Sequence, residues 1–291
     1  MPHDSAGAMP QDSSGADSGN STGLPEYGSL ATALSALGGP EASSRRLGGG
    51  CINDTRVITL ENGRQVFLKE NHASRVGLFR AEASGLEALR VPGGPHVPEV
   101  LGLIEERQKQ YLLIEYIESG SKGPQYFEDF GRALATMHRH SDERGYGFVQ
   151  DNHIGSTPQP NDWMAGWIDF FAERRLMHQI RTARGFGRAD EQMSKGVERI
   201  CARLPELLVE PEASSILHGD LWGGNHMSDA DGNATIYDPA AYFGHREADL
   251  AMTELFGGFS RAFYDAYQEV WPLQPGYRDR VDVYNLYHML N

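Results

Sequence analysis

Short apolar runs separated by turn residues predict strands in the first part of the chain. Residues 57–60 and 65–69 are rich in apolar and β-branched side chains, and Asn62-Gly63 separates them. An Asn-Gly pair between two such runs is typical of a β-hairpin, because both residues tolerate the positive φ of a type I′ turn. Residues 100–106 and 110–117 are two further apolar runs. The four runs together predict a small antiparallel sheet.

Apolar residues at helical spacing dominate the second part of the chain. This change predicts a Ser/Gly-rich disordered tail at residues 1–25, an N-terminal lobe at 26–117, a polar hinge at 118–124 and a C-terminal lobe at 125–291. The predicted fold class is α+β and bilobal, with a small antiparallel sheet and one main helix in the first lobe and a larger, mostly helical second lobe. The predicted helices are residues 30–37, 78–89, 127–139, 165–180 and 197–208.

Candidate chemistry begins with His218, Asp220 and Asn225, which are followed by Asp238 after a predicted turn at residues 231–233. Protein kinases use this spacing for an Asp that accepts the proton of the attacking hydroxyl and for an Asn and a second Asp that hold Mg²⁺. The segment with His218, Asp220 and Asn225, or the segment that begins at Asp238, is by itself compatible with an ordinary turn. The two segments in this order favour phosphoryl transfer. We therefore expect Asp220 to be the base, with an ordinary pKa of about 4, and Asn225 and Asp238 to bind Mg²⁺.

A lysine and a glutamate complete the kinase pattern. Phe79, Glu82 and Leu86 share one face of the predicted helix at 78–89, whereas Glu87 points away from it. A carboxylate within an apolar stripe needs a cationic partner, and kinases pair such a Glu with a strand lysine that contacts the ATP phosphates. We expect Lys69 to be that partner. The alternatives are an exposed lysine at the end of a strand and a partly exposed helix acid.

Two further segments are candidates for nucleotide binding. The glycine run that includes Gly49 and Gly50 and leads into Cys51 precedes the hairpin. Its backbone N–H groups can approach phosphates because glycine has no Cβ, and a plain flexible turn is the alternative. In a kinase-like chain the adenine binds against backbone groups from Glu115 to Ile117. The Walker pattern G-x-x-x-x-G-K-[ST] is absent from the sequence, which argues against a P-loop nucleotidase.

Composition narrows the class of partner. The formal net charge of −14 disfavours nucleic acid and anionic membranes as partners. No apolar run reaches the roughly 18 residues of a membrane span, and no Lys or Arg precedes Arg45, so a secretory or mitochondrial targeting peptide does not fit. We expect a cytoplasmic protein. Cys51 and Cys201 are too few for a disulfide framework or a zinc site.

These motifs and their surroundings resemble the fructosamine kinase (ketosamine-3-kinase) family. The resemblance is carried by residues 218–225, 238–252, 255–259 and 284–288, and it spans about residues 27–291. It implies a protein-kinase-like fold and ATP- and Mg²⁺-dependent phosphorylation of the 3-hydroxyl of ketosamines, on free amino acids or on protein lysines. Ribulosamines, erythrulosamines and fructosamines are the implied substrates, and the unstable phosphorylated adduct links the family to removal of glycation. The implied roles of the site residues agree with those given above.

Several residues have two interpretations. Trp222 either stacks on the sugar or packs within the protein, and His288 is a further candidate for the substrate pocket. Asp249 either caps the helix that follows it or holds the catalytic loop through Arg246. Cys51 is either a small buried residue or a reactive thiol, which the resemblance links to redox-controlled dimerisation. The predicted assembly is therefore a monomer or a Cys51-linked dimer.

Two other functions stay open: a small-molecule kinase for aminoglycosides or choline-like amines, and a non-catalytic pseudokinase. The block at residues 238–259 argues against the first. Retention of the four kinase residues argues against the second; they are Lys69, Asp220, Asn225 and Asp238. His226 replaces the aromatic or apolar residue that the family commonly has, which bears on packing. The chain has no helix stop signal at residues 289–291, and we expect further residues after them.

Overall fold

The computed structural model describes residues 23–47 and 53–291. Gly49, Gly50 and Cys51 lie outside the described residues, so the predicted phosphate-binding turn and the predicted redox thiol stay predictions. Residues 1–22, most of the predicted tail, also lie outside them.

The N-terminal lobe is built on one six-stranded sheet. Its strands are β1 Glu26–Tyr27, β2 Glu41–Arg46, β3 Asp54–Leu60, β4 Gln65–His72, β5 Val100–Glu105 and β6 Lys109–Glu115. The strand order is β1-β5-β6-β4-β3-β2, and all neighbours are antiparallel except β1 and β5. Helix α1 (Leu30–Leu37) and helix α2 (Leu78–Leu89) belong to the same lobe.

The predicted hairpin and both predicted helices of this lobe are confirmed. β3 pairs with β4 across Asn62-Gly63, and Gly63 has a φ of 86° in the turn. The four predicted strands pair antiparallel, as expected, and the unpredicted β1 joins the edge parallel to β5. The apolar pattern predicts neither β1 nor β2, since β1 has only two residues and β2 is exposed along its whole length.

The sheet separates two hydrophobic clusters. Leu68 and Leu113 pack with Leu34 of α1 on one face. Leu112, the neighbour of Leu113, faces the opposite side and joins the large core that includes Phe79 of α2 and continues into the C-terminal lobe. Successive strand residues point to opposite faces, so one sheet supports both clusters. Helix α2 is thereby fixed between the sheet and the second lobe.

The C-terminal lobe is mostly helical, as predicted, with short two-stranded sheets between the helices. Its strands are β7 Asn152–Ile154, β8 Thr157–Gln159, β9 Ser215–Leu217, β10 His226–Ser228, β11 Ala234–Ile236 and β12 Tyr242–Gly244. Its helices are α3 Tyr126–His138, α4 Trp167–Phe170, a π-helix Phe171–Leu176, α5 Met177–Gly185, α6 Glu191–Leu207, α7 Glu247–Leu255, α8 Arg261–Val270 and α9 Tyr277–Leu290.

Two predicted helices differ from the observed ones. The helix predicted at 165–180 is a continuous run of α4, the π-helix and α5. Helix α6 begins at Glu191, earlier than the predicted residue 197, because Asp190 caps it by accepting a hydrogen bond from Met193 N over 2.7 Å. Within the described residues, no helix is long and apolar enough to cross a membrane.

Candidate active site

The loop after β9 carries the predicted base. Asn225 Nδ2 donates to the backbone oxygen of Asp220 over 2.8 Å and to its carboxylate oxygen Oδ2 over 2.9 Å. These two bonds fix the side chain of Asp220 relative to its own backbone. They also use the nitrogen of the Asn225 amide, so that Oδ1 is the atom with which Asn225 can ligate a cation.

His218 connects this loop to the strand that leads to Asp238. Its Nε2 donates to Tyr237 O over 3.0 Å, and its Nδ1 accepts from Asp220 N over 3.3 Å. Burial lowers the pKa of His218, and a neutral imidazole with its proton on Nε2 satisfies both bonds. The neutral imidazole of His218 thus connects the backbone of Asp220 to that of Tyr237, the residue before Asp238.

Asp249 of α7 directly contacts the loop at residues 218–225, which is the predicted catalytic loop. Its carboxylate accepts from His218 N over 2.6 Å and from Gly219 N over 2.8 Å. The prediction that it acts through Arg246 is wrong, because Arg246 instead donates to the backbone oxygens of Trp271 and Pro272. The helix-capping alternative is also wrong, since Arg246 is the N-cap position and no side chain caps α7. Asp249 contacts the loop directly because the buried first turn of α7 packs against it.

His138 of α3 contacts Asp249, and the sequence did not reveal this neighbour. Its Nε2 lies 3.2 Å from Asp249 Oδ2, and its Nδ1 lies 2.8 Å from Tyr267 Oη. Burial alone would raise the pKa of Asp249, but the His138 imidazole and the donors of the loop hold it below its ordinary value. Asp249 is therefore an ionised anchor. His138 is 111 residues from Asp249 in the sequence. Its only sequence signal is its position at the end of an ordinary apolar stripe of a helix.

Lys69 brings the two lobes together at the site. It is buried, and its ammonium group contacts the carboxylates of Glu82 and Asp238. Burial lowers the pKa of Lys69, but the two carboxylates more than offset that effect, and the net shift is upward. Lys69 is therefore charged at neutral pH. The structure thus brings together the lysine and glutamate of the N-terminal lobe with the second aspartate of the C-terminal lobe.

Asp238 has an unusual backbone conformation. Its φ of 57° makes it the one non-glycine residue with positive φ in the described part of the chain. This left-handed region is costly for residues with a Cβ, and a residue stays there when its surroundings impose it. The Asp238 side chain is 50% exposed, so the carboxylate that contacts Lys69 is also open toward solvent.

The pKa of Asp220 differs from the expected value. Burial raises it to about 7, with help from the nearby carboxylates of Asp238 and Asp249, and the hydrogen bond from Asn225 offsets only part of the effect. The prediction of an ordinary pKa is wrong because the sequence does not show how deeply the loop is buried. A carboxylate that titrates near neutral pH is well suited to general-base catalysis at that pH.

The donor set is compatible with Mg²⁺. No three His, Cys, Asp or Glu side chains of residues 23–47 and 53–291 form a cluster that would hold a metal by themselves. Mg²⁺ is usually bound through one or two protein ligands together with phosphate oxygens and waters. Asn225 Oδ1 and the open carboxylate of Asp238 fit that sparse set.

The predicted adenine contacts are at the end of β6. Glu115 N donates to Glu99 O over 2.8 Å, so this N–H is not available to a nucleotide. The carbonyl group of Glu115 and the backbone of Ile117, which follows the strand, stay candidates. The predicted hinge packs against the β10–β11 hairpin through Gly120, whose N–H donates to Ser228 O over 2.9 Å. A Cβ at Gly120 would lie 2.3 Å from Asp229 O, so the approach requires glycine.

Comparison with known proteins identifies the family. A family model described as fructosamine kinase matches residues 30–291. The chain belongs to the fructosamine kinase family. The predicted family is therefore confirmed, and the bilobal architecture confirms the predicted protein-kinase-like fold.

Relatives within this family cover most of the chain. A probable ketoamine kinase of Synechocystis sp. is 40% identical over 248 residues, which is 85% of this chain and 82% of that protein. The chloroplastic protein-ribulosamine 3-kinase of Arabidopsis thaliana is 40% identical over 256 residues, which is 84% of this chain and 75% of that protein. A crystal structure of a candidate fructosamine-3-kinase from Haemophilus somnus has a TM-score of 0.83 and 31% identity, and covers 90% of this chain and 88% of that one.

The two substrate candidates of this fructosamine kinase family member lie in different settings. Trp222, two residues after Asp220, is 39% exposed and packs edge-on against Phe256 with ring centroids 5.9 Å apart. His288 of α9 is half-buried beside Tyr287, at 5.1 Å between ring centroids, and burial lowers its pKa to about 4. His288 is therefore neutral at pH 7. The substrate roles of both residues stay predictions.

His226 fills the place of an aromatic residue, in agreement with the packing interpretation. Its Nδ1 lies 2.8 Å from Tyr126 Oη, and its ring packs against Phe259 with centroids 4.6 Å apart. Burial and the nearby Lys122 lower its pKa to about 4. A neutral imidazole thus stabilises the strand that begins directly after Asn225.

Proposed function

We propose that this protein transfers the γ-phosphoryl group of ATP to the 3-hydroxyl of a ketosamine, formed on a free amino acid or on a protein lysine. The observation that carries the proposal is the contact of the buried Lys69 ammonium with both Glu82 and Asp238. This contact joins a phosphate-binding lysine to Asp238. His218 in turn connects the loop that carries Asp220 to Tyr237, the residue before Asp238, and the combination is the arrangement that phosphoryl transfer requires. Membership in the fructosamine kinase family supports a ketosamine as the acceptor.

Each residue has a distinct role in the proposed reaction. Asp220 accepts the proton of the attacking hydroxyl, and Asn225 keeps its carboxylate oriented. Lys69 places a fixed positive charge beside the phosphates, where a preorganised charge stabilises the transition state. Asn225 Oδ1 and Asp238 would hold Mg²⁺. When bound, the ion would neutralise charge on the phosphate oxygens.

The acceptor side is assigned to Trp222 and His288. The exposed face of Trp222 lies on the catalytic loop and offers an apolar surface on which a sugar ring can stack. A neutral His288 can donate or accept a hydrogen bond from a sugar hydroxyl. The relative named protein-ribulosamine 3-kinase supports a ribulosamine among the substrates. The acidic chain, with a net charge of −14, suits an amine-bearing substrate.

The organisation of the protein follows the same proposal. Residues 118–124 would serve as the hinge between lobes at 26–117 and 125–291, and Glu115 and Ile117 would contact adenine through their backbone. We place the reaction in the cytoplasm and expect no nucleic-acid or membrane partner. A Cys51-linked dimer would form on oxidation. An unchanged apparent mass on non-reducing gels after peroxide treatment would count against that dimer.

ADP release in the presence of MgATP tests the proposal. Ribulose-lysine, fructose-lysine and kanamycin are offered in parallel, and we expect turnover on a ketosamine. Asp220→Asn should lower the rate by about 10²–10⁴-fold, because it removes the base. Asp162→Asn changes a side chain that is 72% exposed and serves as the matched control. Turnover on kanamycin alone would favour an aminoglycoside kinase, and no turnover on any acceptor would favour a pseudokinase.

A further inference from the structure

A pair of buried amides lies directly behind the segment that follows Asp238. Asn152 and Gln159 pair across the β7–β8 hairpin, and both are buried. Asn152 Nδ2 donates to Ala241 O over 2.8 Å, and Gln159 Nε2 donates to Ala240 O over 3.0 Å. Gln159 Nε2 also donates to Asn152 Oδ1 over 2.7 Å. One hairpin thus holds two consecutive carbonyl groups of the segment.

A buried cation fixes the direction of the Asn152 amide. Arg175 Nη2 donates to Asn161 Oδ1 over 2.8 Å, and Asn161 Nδ2 donates to Asn152 Oδ1 over 3.0 Å. The Arg175 guanidinium also lies 4.0 Å from the ring centroid of Tyr242. Because a guanidinium has donors only, Asn161 turns its oxygen to Arg175 and its nitrogen to Asn152. Asn152 must then turn its nitrogen toward Ala241.

A tyrosine fixes the direction of the Gln159 amide. Tyr287 Oη of α9 donates to Gln159 Oε1 over 2.6 Å. With Oε1 occupied as an acceptor, the nitrogen of Gln159 faces Ala240 O. Each of the two amides is therefore oriented by a donor from another part of the C-terminal lobe. Because the amide oxygen and nitrogen of both residues are hydrogen-bonded, the pair is held in one orientation.

The segment that receives these bonds needs external support. Asp238 has a φ of 57°, and a strained residue keeps such a conformation only where its surroundings impose it. Helix α2 also packs closely against the segment, since a Cβ at Gly85 would lie 3.3 Å from Pro239 Cγ and 3.3 Å from Ala241 Cβ. Both helix α2 and the amide pair thus contact the segment.

We propose that Gln159 and Asn152 are positioning residues that hold Asp238 in the conformation in which it binds the nucleotide-associated metal ion. They act through the carbonyl groups of Ala240 and Ala241 and touch neither nucleotide nor acceptor. The inference rests on the proposed function, in which Asp238 is a Mg²⁺ ligand. Partners that orient metal ligands from behind commonly change metal affinity by about 10–100-fold when they are removed.

A purely structural role is the competing interpretation, because buried amides need partners wherever they occur. The two interpretations differ in what a substitution changes. Loss of a structural amide lowers stability alone. Loss of a positioning amide weakens the Mg²⁺-dependent part of ATP binding and leaves metal-free ATP binding unchanged.

Gln159→Met tests the inference, with Gln110→Met as a matched control. Gln110 is also buried, and its Nε2 also donates twice, to His72 O over 3.0 Å and to Arg75 O over 2.6 Å, but these bonds lie within the N-terminal lobe. Calorimetry measures ATP affinity in EDTA and at graded Mg²⁺ concentrations, without acceptor. For Gln159→Met we expect an unchanged metal-free affinity and a rise of about 10–100-fold in the Mg²⁺ concentration that gives half-maximal affinity enhancement. Gln110→Met should shift neither quantity.

The outcomes separate this inference from the proposed function. Wild-type protein that binds no MgATP overturns both. If the wild type binds MgATP and the Gln159→Met and Gln110→Met variants show the same Mg²⁺ dependence of ATP binding, the positioning role alone is overturned. Should Gln159→Met fail to fold, Tyr287→Phe decides, because it removes only the hydroxyl that orients Gln159. We expect a shift in the same direction of about three-fold, at the level of one hydrogen bond, and an unshifted Tyr287→Phe would then overturn the inference.

Discussion

Two buried ion-pair clusters in this protein differ in balance and in exposure. Arg280 of α9 donates from Nε and Nη2 to the two carboxylate oxygens of Glu247, each over 2.7 Å, and the pair is almost fully enclosed. Lys69 instead contacts two carboxylates, Glu82 and Asp238, and one of them is half exposed. The first cluster balances one charge against one charge. The second places two carboxyl groups around one ammonium group, and the half-exposed carboxyl group of Asp238 is open to a further cation.

This difference separates an ion pair that stabilises the fold from one that belongs to the candidate active site. In a closed, balanced pair both charged groups are already occupied, so neither is available to a ligand. Removal of one partner leaves the other charge buried and unpaired. An open cluster with excess carboxylate keeps a position for a further ligand. We therefore expect replacement of Arg280 by methionine to lower mainly stability, and replacement of Lys69 by methionine to lower mainly activity.

Arg280→Met should have the largest effect on stability. It leaves the fully buried Glu247 carboxylate without its partner, and we expect the free energy of unfolding to fall by about 3–5 kcal/mol. Urea unfolding measures this change, and kcat per folded molecule should stay near the wild-type value. A loss below 1 kcal/mol would contradict the interpretation of this pair as structural.

Lys69→Met should have its main effect on catalysis. Loss of a preorganised charge beside the phosphates is expected to lower kcat/KM by about 10²–10³-fold. Stability should fall less than in Arg280→Met, because Glu82 and Asp238 retain access to solvent or to protons. Initial rates of ADP release and urea unfolding measure the two effects. A variant that loses more stability than Arg280→Met and keeps its activity would reverse the comparison.

Acid should lower the stability of the protein through His245, which lies two residues before Glu247 of the Arg280–Glu247 pair. Burial lowers the pKa of His245 to about 3, and Arg246, Arg280 and His138 contribute to the shift. Because the unfolded imidazole titrates near pH 6.5, the unfolded state binds more protons below that pH. The stabilisation that comes from keeping His245 neutral is fully present above pH 6.5. As the pH falls below 6.5, the free energy of unfolding decreases by about 1.4 kcal/mol per pH unit for one proton.

His245→Phe removes this titration, so its free energy of unfolding should depend less steeply on pH between 6.5 and 4 than that of the wild type. The substitution also removes the bond from Glu247 N to His245 Nδ1, which spans 3.1 Å, and a constant loss at all pH values is expected from that change. Only the slope tests the prediction. Equal slopes for both proteins would show that His245 does not titrate on unfolding.

Arg261→Ala should have the smallest effect. Arg261 pairs with Asp265 one helical turn later, and both side chains are exposed. Exposed pairs of this type are worth about 0.3–0.5 kcal/mol, so unfolding and ADP release should both stay near their wild-type values. A loss comparable to that of Arg280→Met would mean that burial does not explain the difference between ion pairs in this protein.

The sequence predicted those parts of the site that depend on local periodicity and motif spacing. The helical spacing around Glu82 and the hairpin ending near Lys69 placed a carboxylate and an ammonium group on facing elements, and the structure brings them into contact. The loop with Asp220 and Asn225 likewise follows from spacing alone. Helix α2 has the predicted bounds because its apolar stripe is strong and continuous.

Contacts between distant segments were beyond the reach of the sequence. Asp249 binds the loop 31 residues earlier through backbone N–H groups, and backbone donors leave no signal in side-chain patterns. Gln159 reaches Ala240 across 81 residues, and an isolated glutamine in a short strand looks like surface. The raised pKa of Asp220 depends on burial that several elements create together. Such features follow from packing, which no local pattern encodes.

The position of the transferred phosphate on the acceptor shows whether the protein is a ketosamine 3-kinase. Ribulose-lysine is incubated with MgATP and the protein, and the product is analysed by mass spectrometry and by ¹H–³¹P correlation NMR. We predict one added phosphate, on the oxygen of carbon 3, and about 10²–10⁴-fold slower formation of this product with Asp220→Asn. A phosphate on any other oxygen, or equally fast product formation by the Asp220→Asn protein, would contradict this prediction.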